Sequence, residues 1–177
     1  MTQVAVPEVA RADTAAMRSL PALALAALLL LPGFGARAAP PLAEGEVRGF
    51  MNGIEFAARA RDVPRLAATL APDCRVELRT RIAGQERVTL MTRDEYVELL
   101  TSGYASLANL QGYEYDVTEQ QVTLEHDTAA ATVVSHVTET IVFEHRRQVT
   151  ESEETARVER RADGLRLVAV SALTSGD

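Results

Sequence analysis

Glu139 and Glu154 are the residues whose positions most directly suggest chemistry. Each lies in a long alternating run, 129–145 and 148–161, that reads as a β-strand, and the two runs are close enough in sequence to pair antiparallel. With Arg146-Arg147 as the turn, Glu139 falls opposite Glu154, Val137 opposite Ala156 and Ser135 opposite Val158. Asp163-Gly164 is a strong two-residue hairpin signal; as the second turn it sets Ala156 against Ser171 and Glu154 against Leu173. The face so defined is apolar, with Val133, Val137, Ala156, Val158 and Leu167 on it, and the two glutamates are its carboxylates. Two carboxylates on a sheltered face repel, one pKa rises, and a proton-transfer pair working near neutral pH results. The alternative is a wet hairpin tip, rich in Glu144, Glu151 and Glu153, where both groups are solvated. A one-residue slip in the first turn would abolish the pair.

Tyr96 and Tyr104 fall on the apolar stripe of a helix. Aromatic residues at that spacing are usually core, but a tyrosine hydroxyl needs a buried partner or water, so Tyr104 is a candidate to point into a pocket. Tyr113 and Tyr115 share one strand face. His136 falls on the opposite sheet face with Val134, Val142, Val168 and Val170, an interface or surface position, while His126 and His145 read as solvent groups. There is no glycine-rich phosphate loop, no G-x-S-x-G elbow and no His-x-x-x-His pair, so neither a cofactor nor a metal site is read. One cysteine, Cys74, excludes an intramolecular disulfide and a cysteine-based zinc site; its place at a strand start marks it as buried. All 18 basic residues are Arg, against 25 acidic ones, for a net charge of −7 over 177 residues. Such a balance is a poor partner for a phosphate backbone, which excludes nucleic acid.

The elements that must hold these groups begin after a leader. Leu20–Leu31 is an uncharged apolar run, broken by Pro32-Gly33 and followed by Ala36-Arg37-Ala38, the order of a secretory signal peptide cut after Ala38. The run is too short for a spanning helix of about 20 residues. Glu8 and Asp13 are foreign to a leader, so translation is expected to start at Met17. Removing 38 residues leaves 139, a single periplasmic or secreted domain free of the membrane. Within it, the stripe Val47, Phe50, Met51, Ile54, Ala57, Ala58 reads as a helix over 43–61, with Phe56 on the other side. Asp62 then caps a short helix over 63–70. A strand covers 75–80, with a short partner near 87–90. Thr92-Arg93-Asp94-Glu95 is a capping box that opens a helix with the stripe Tyr96, Leu99, Leu100, Gly103, Tyr104, Leu107. Period two then persists from Gly112 to Leu173. Helices first and long antiparallel strands after them define the segregated α+β class.

The order of a long first helix, then ARDVPRLAATLAPDCRVEL, then TRDEYVELL, then strands ending ARVERRADGLRLVAVSAL, resembles the nuclear transport factor 2-like superfamily, and within it the SnoaL-like members. The resemblance covers residues 43–173. It implies a curved, mostly antiparallel sheet with the N-terminal helices packed in its concave face, an internal pocket, and dimers through the outer sheet face. Members include isomerases, dehydratases, cyclases, hydrolases and binding modules, so the fold assigns no reaction. The ketosteroid isomerase pattern asks for a tyrosine on the first helix, where this chain has Phe50 and Phe56. Three functions follow as expectations. The first is a pocket for a small apolar molecule, lined by Phe50, Ile54, Tyr96, Tyr104, Ser135, Val137 and Ser171. The second is a small lyase or isomerase with Glu139 or Glu154 as base and Tyr104 or Ser135 as an orienting group. The third is a non-catalytic homodimeric interaction module.

Overall fold

The strands carry the register that brings distant groups together. In a computed structural model, residues 40–82, 85–107, 111–125, 129–143 and 146–176 are described; the segment expected to be a leader lies outside them. The elements are α1 (Glu44–Arg59), α2 (Val63–Thr69), β1 (Leu70–Ile82), β2 (Gln85–Thr92), α3 (Arg93–Ser106), β3 (Gly112–Leu124), β4 (Ala130–Phe143), β5 (Arg146–Arg161) and β6 (Gly164–Gly176). Six strands form one sheet in the order β2-β1-β6-β5-β4-β3, with β1 and β6 parallel and the other neighbours antiparallel. This is the α+β arrangement expected, with the helices against one face.

The inner face of α1 follows its stripe: Val47, Ala57 and Ala58 are buried, and Phe50, Met51 and Ile54 pack beside them. Glu44 and Glu46 in the first turn and Arg59 in the last complement the helix dipole. Beyond the helix Arg61 adopts φ 54°, where glycine is usual, and Asp62 N–H returns to Ala57 O. Its side chain uses that position: the guanidinium donates to Leu107 O at 3.2 Å and lies over the Tyr113 ring, 5.5 Å from its centroid. Asp62 accepts from Arg65 N–H and starts α2. The core between helices and sheet is built from Leu70, Ala71, Cys74, Val76, Val133 and Val158. Cys74 is a free, buried thiol, pushed up to about 11 by burial and then by the Asp73 charge, so it is neutral.

Two hairpins differ from the expected pairing. Phe143 pairs with Arg146, so Glu139 faces Thr150 and Ser135 faces Glu154. Arg146 and Arg147 extend the ladder instead of turning, because in a polar run such as Glu144-His145-Arg146-Arg147 any adjacent pair satisfies the turn pattern. The slip is four residues, an even number, so both glutamates keep the inner face. In the second hairpin Arg161 pairs with Gly164 (φ 117°), and the register shifts between Arg157 and Val158. That bulge reverses the alternation beyond it. Val170 and Ala172 therefore lie opposite Ala156 and Glu154, while Ser171 lies opposite Thr155 and beside Glu77. Ser171, Ala169 and Leu173 are thus on the outer face, and Val168 and Val170, expected there, pack against the core. Leu167-Val168-Ala169-Val170 is apolar at both parities, so its pattern hides the phase.

On α3 the inward residues are Tyr96, Val97, Leu100 and Tyr104, and Leu99 is exposed. The capping box sets this rotation: Thr92 N–H and Oγ1–H donate to Glu95 Oε2 at 2.7 and 2.8 Å, and Glu95 N–H donates back to Thr92 Oγ1. Thr92→Ala removes the hydroxyl half of that box and should cost about 1 kcal/mol, read as a lower midpoint in urea with an unchanged slope.

Candidate functional site

Three local rules converge under α3. Spacing of four places Tyr96, Leu100 and Tyr104 on one helical face. Spacing of two places Tyr113 and Tyr115 on one face of β3, and the register sets Tyr115 beside Glu139 of β4. The next strand brings Glu154 beside Ser135. The result is a cavity of about 240 Å³ lined by all four tyrosines of the sequence and both glutamates. Ile54 of α1, Leu66 of α2, Ala156 of β5 and Val170 of β6 close its apolar wall.

Of the residues expected at a pocket, Ile54, Tyr96, Tyr104, Glu139 and Glu154 line this one. Phe50 packs into the core beside it. Ser135 and Val137 are buried on the same sheet face without lining it. Ser171 faces away and lines a separate hollow of about 690 Å³ on the outer face with Thr155 and Glu77. Tyr113 and Tyr115 complete the site; the signal for them was their alternation on a strand that pairs with the strand of Glu139. His136 stands outside, half exposed on the outer face, 4.0 Å from Glu119 and 3.9 Å from Glu153. His126 and His145 lie outside the described residues.

The cavity disfavours charge. Burial pushes Glu154 up to about 7, the Glu139 carboxylate adds to the shift, and the Tyr115 hydroxyl opposes it. Burial likewise raises Tyr96, Tyr113 and Tyr115 well above the usual tyrosine range, and raises Tyr104 against the pull of Tyr113 and Arg61. All four stay protonated at neutral pH and present hydroxyl donors. Tyr104 and Tyr113 meet edge to face, with ring centroids 6.2 Å apart and planes at 79°. The Tyr113 hydroxyl is buried between Tyr104 and Glu139, and among the described residues no hydrogen bond of ordinary geometry satisfies it. An orphaned hydroxyl facing a cavity is a group that a ligand or water must satisfy. Among the described residues, no cluster of three His, Cys, Asp or Glu is arranged to hold a metal.

Comparison with solved structures gives the class of fold. The chain superposes on an NTF2-like protein with a cystatin-like fold from Novosphingobium aromaticivorans at a TM-score of 0.57, with 17% identity, covering 73% of this chain and 79% of that one. A protein of the same organism proposed as a scytalone dehydratase matches at 0.56, with 16% identity over 75% and 83% of the two chains. The β subunit of a proposed aromatic-ring-hydroxylating dioxygenase, also from that organism, matches at 0.60, with 8% identity over 75% and 89%. No protein-family profile and no curated protein sequence matches the chain. The chain therefore has the NTF2-like, cystatin-like fold.

The raised Glu154 has a consequence for stability. Its folded pKa exceeds the unfolded value near 4.3, so between about 4.5 and 7 the folded state holds the extra proton. Stability is then complete below that window and falls as pH rises through it, by at most about 3 kcal/mol. Glu154→Gln should flatten this slope in thermal melts between pH 5 and 8. Parallel pH profiles for the two proteins would show that Glu154 is not held neutral.

Proposed function

We propose that this protein is an exported domain whose cone pocket binds a small molecule with a largely apolar body. The observation that carries the reading is the cavity itself: an apolar wall with its polar groups, five hydroxyls (four tyrosines and Thr69) and two carboxyls, converging on one space. A cavity of 150 Å³ holds benzene, so about 240 Å³ suits a mono- or bicyclic compound. Saturation-transfer NMR against a set of single-ring and fused-ring aromatics tests it. Compounds of that size should give saturation transfer, and Ala156→Leu, which narrows the cavity, should abolish it while the melt stays cooperative. Silence across the set would sink the reading.

A second reading, proton abstraction from a bound carbon acid, is favoured by one fact: Glu154 titrates near neutrality beside hydroxyl donors. A ketone held in the cavity should then exchange its α-protons with deuterated water at a rate rising through about pH 7, and Glu154→Gln should stop the exchange. A ketone that binds without exchange would leave a binding protein.

Export and self-association belong to the same proposal. The run Leu20–Leu31 followed by Ala36-Arg37-Ala38 supports processing after Ala38. Val88 and Leu90, 50% and 73% exposed beside the outer face of β1, support a homodimer through that face. Native mass spectrometry of the periplasmic fraction of a Gram-negative host should give twice the mass of residues 39–177. A single full-length mass would contradict both.

A further inference from the structure

Arginine answers the carboxylates of this protein selectively, according to their burial. Among the described residues, the other half-buried ones each meet a guanidinium: Glu55 meets Arg59 at 2.7 Å, Glu125 meets Arg157 at 3.0 Å, Glu159 meets Arg161 at 3.0 Å, and Glu77 meets Arg79. Carboxylates without an ion pair or a capping role, such as Glu98, Glu114 and Glu151, are exposed to water. Glu139 and Glu154 are the exception: half-buried, in one cavity, with no cation against either. None of the described arginines lines that cavity; Arg61, which covers the Tyr113 ring, is turned to the Leu107 carbonyl. In a chain this rich in Arg, two sheltered carboxylates have been left without a counter-ion.

The walls around them match a cation. Tyr96, Tyr104, Tyr113 and Tyr115 surround the space, and the negative face of an aromatic ring attracts an ammonium group. The Tyr113 oxygen, buried beside Glu139 and without a hydrogen bond of ordinary geometry, can accept a hydrogen bond from an ammonium N–H. An anion would meet two carboxylates, and a wholly apolar occupant would leave them dehydrated and unpaired. We propose that the cavity takes a small organic cation, an amine or quaternary ammonium on an apolar body, its head between Glu139 and Glu154 and against the tyrosine rings. This rests on the small-molecule reading of the same pocket and names the class of ligand.

Without the cation, a proton takes its place on Glu154. The groups facing that carboxyl are Glu139 from β4, Tyr113 and Tyr115 from β3, and Tyr96 and Tyr104 from α3. The helices α1 and α2 and strand β6 offer uncharged side chains, Ile54, Leu66 and Val170 among them. The tyrosines do not ionise near neutrality, so binding of a cation is coupled to loss of a proton from Glu154. Its affinity rises with pH up to about 7 by as much as tenfold per unit.

The experiment is calorimetric titration of the purified protein with benzyltrimethylammonium and 2-phenylethylamine, and with 2-phenylethanol as the neutral comparison. The ammonium compounds should bind at least tenfold tighter than the alcohol. At pH 6.5 their binding heats should vary with buffer ionisation enthalpy, the mark of a released proton, and at pH 8.5 they should not. Glu139→Gln and Glu154→Gln should each lower the ratio of ammonium to alcohol affinity about tenfold; cooperative melts verify their fold. Equal or tighter binding of the alcohol to the wild type would overturn the cation assignment and leave the pocket reading standing. Binding of none of the three would remove both.

Discussion

Burying a carboxylate without a cation is expensive, and the cavity accepts that cost at Glu154. Much of the surrounding structure limits it. The carboxyl is held in its neutral form below about pH 7, Tyr115 offers a hydroxyl to the ionised form, and the neighbouring tyrosines present protonated oxygens. The same low-polarity surroundings that raise the glutamate raise the tyrosines, so the cavity is rich in donors and poor in mobile charge. This is a polar group set held ready by apolar packing, the usual composition of a small-molecule site.

The sheet determines how these groups meet. Glu139 and Glu154 are not cross-strand neighbours; each faces a small polar residue, Thr150 and Ser135. They share the cavity because both point to the inner face beneath α3, with β3 supplying Tyr113 and Tyr115 from the edge. On the other side of the sheet, charge is handled conventionally, with Glu119 and Glu153 flanking His136 and Arg157 joined to Glu125. Outer carboxylates meet water or guanidinium groups, whereas Glu139 and Glu154 are half-buried with no described guanidinium against them.

Arg61 links the backbone to the site. It occupies a left-handed position that costs a non-glycine residue on the order of 1 kcal/mol. From there its guanidinium ties the loop after α1 to the end of α3 through Leu107 O and covers the Tyr113 ring. Glycine would ease the backbone and lose both contacts.

The sequence by itself determined the elements and the class: the α1 stripe, the Asp62 cap, the Thr92–Glu95 box and the long alternating strands all stand where their local physics put them. It also marked both glutamates for the inner face, and an even slip of register preserved that result. Pairing partners were decided only in three dimensions. The polar run 144–147 admits several turns, and the apolar run 167–170 is compatible with either phase, so neither the position of the first hairpin nor the bulge after Arg157 leaves a periodic trace. That bulge moved Ser171 out and Val170 in. Tyrosines from α3 and β3 met the glutamates of β4 and β5 for the same reason: periodicity reports which face a residue takes, and only tertiary packing decides what faces it.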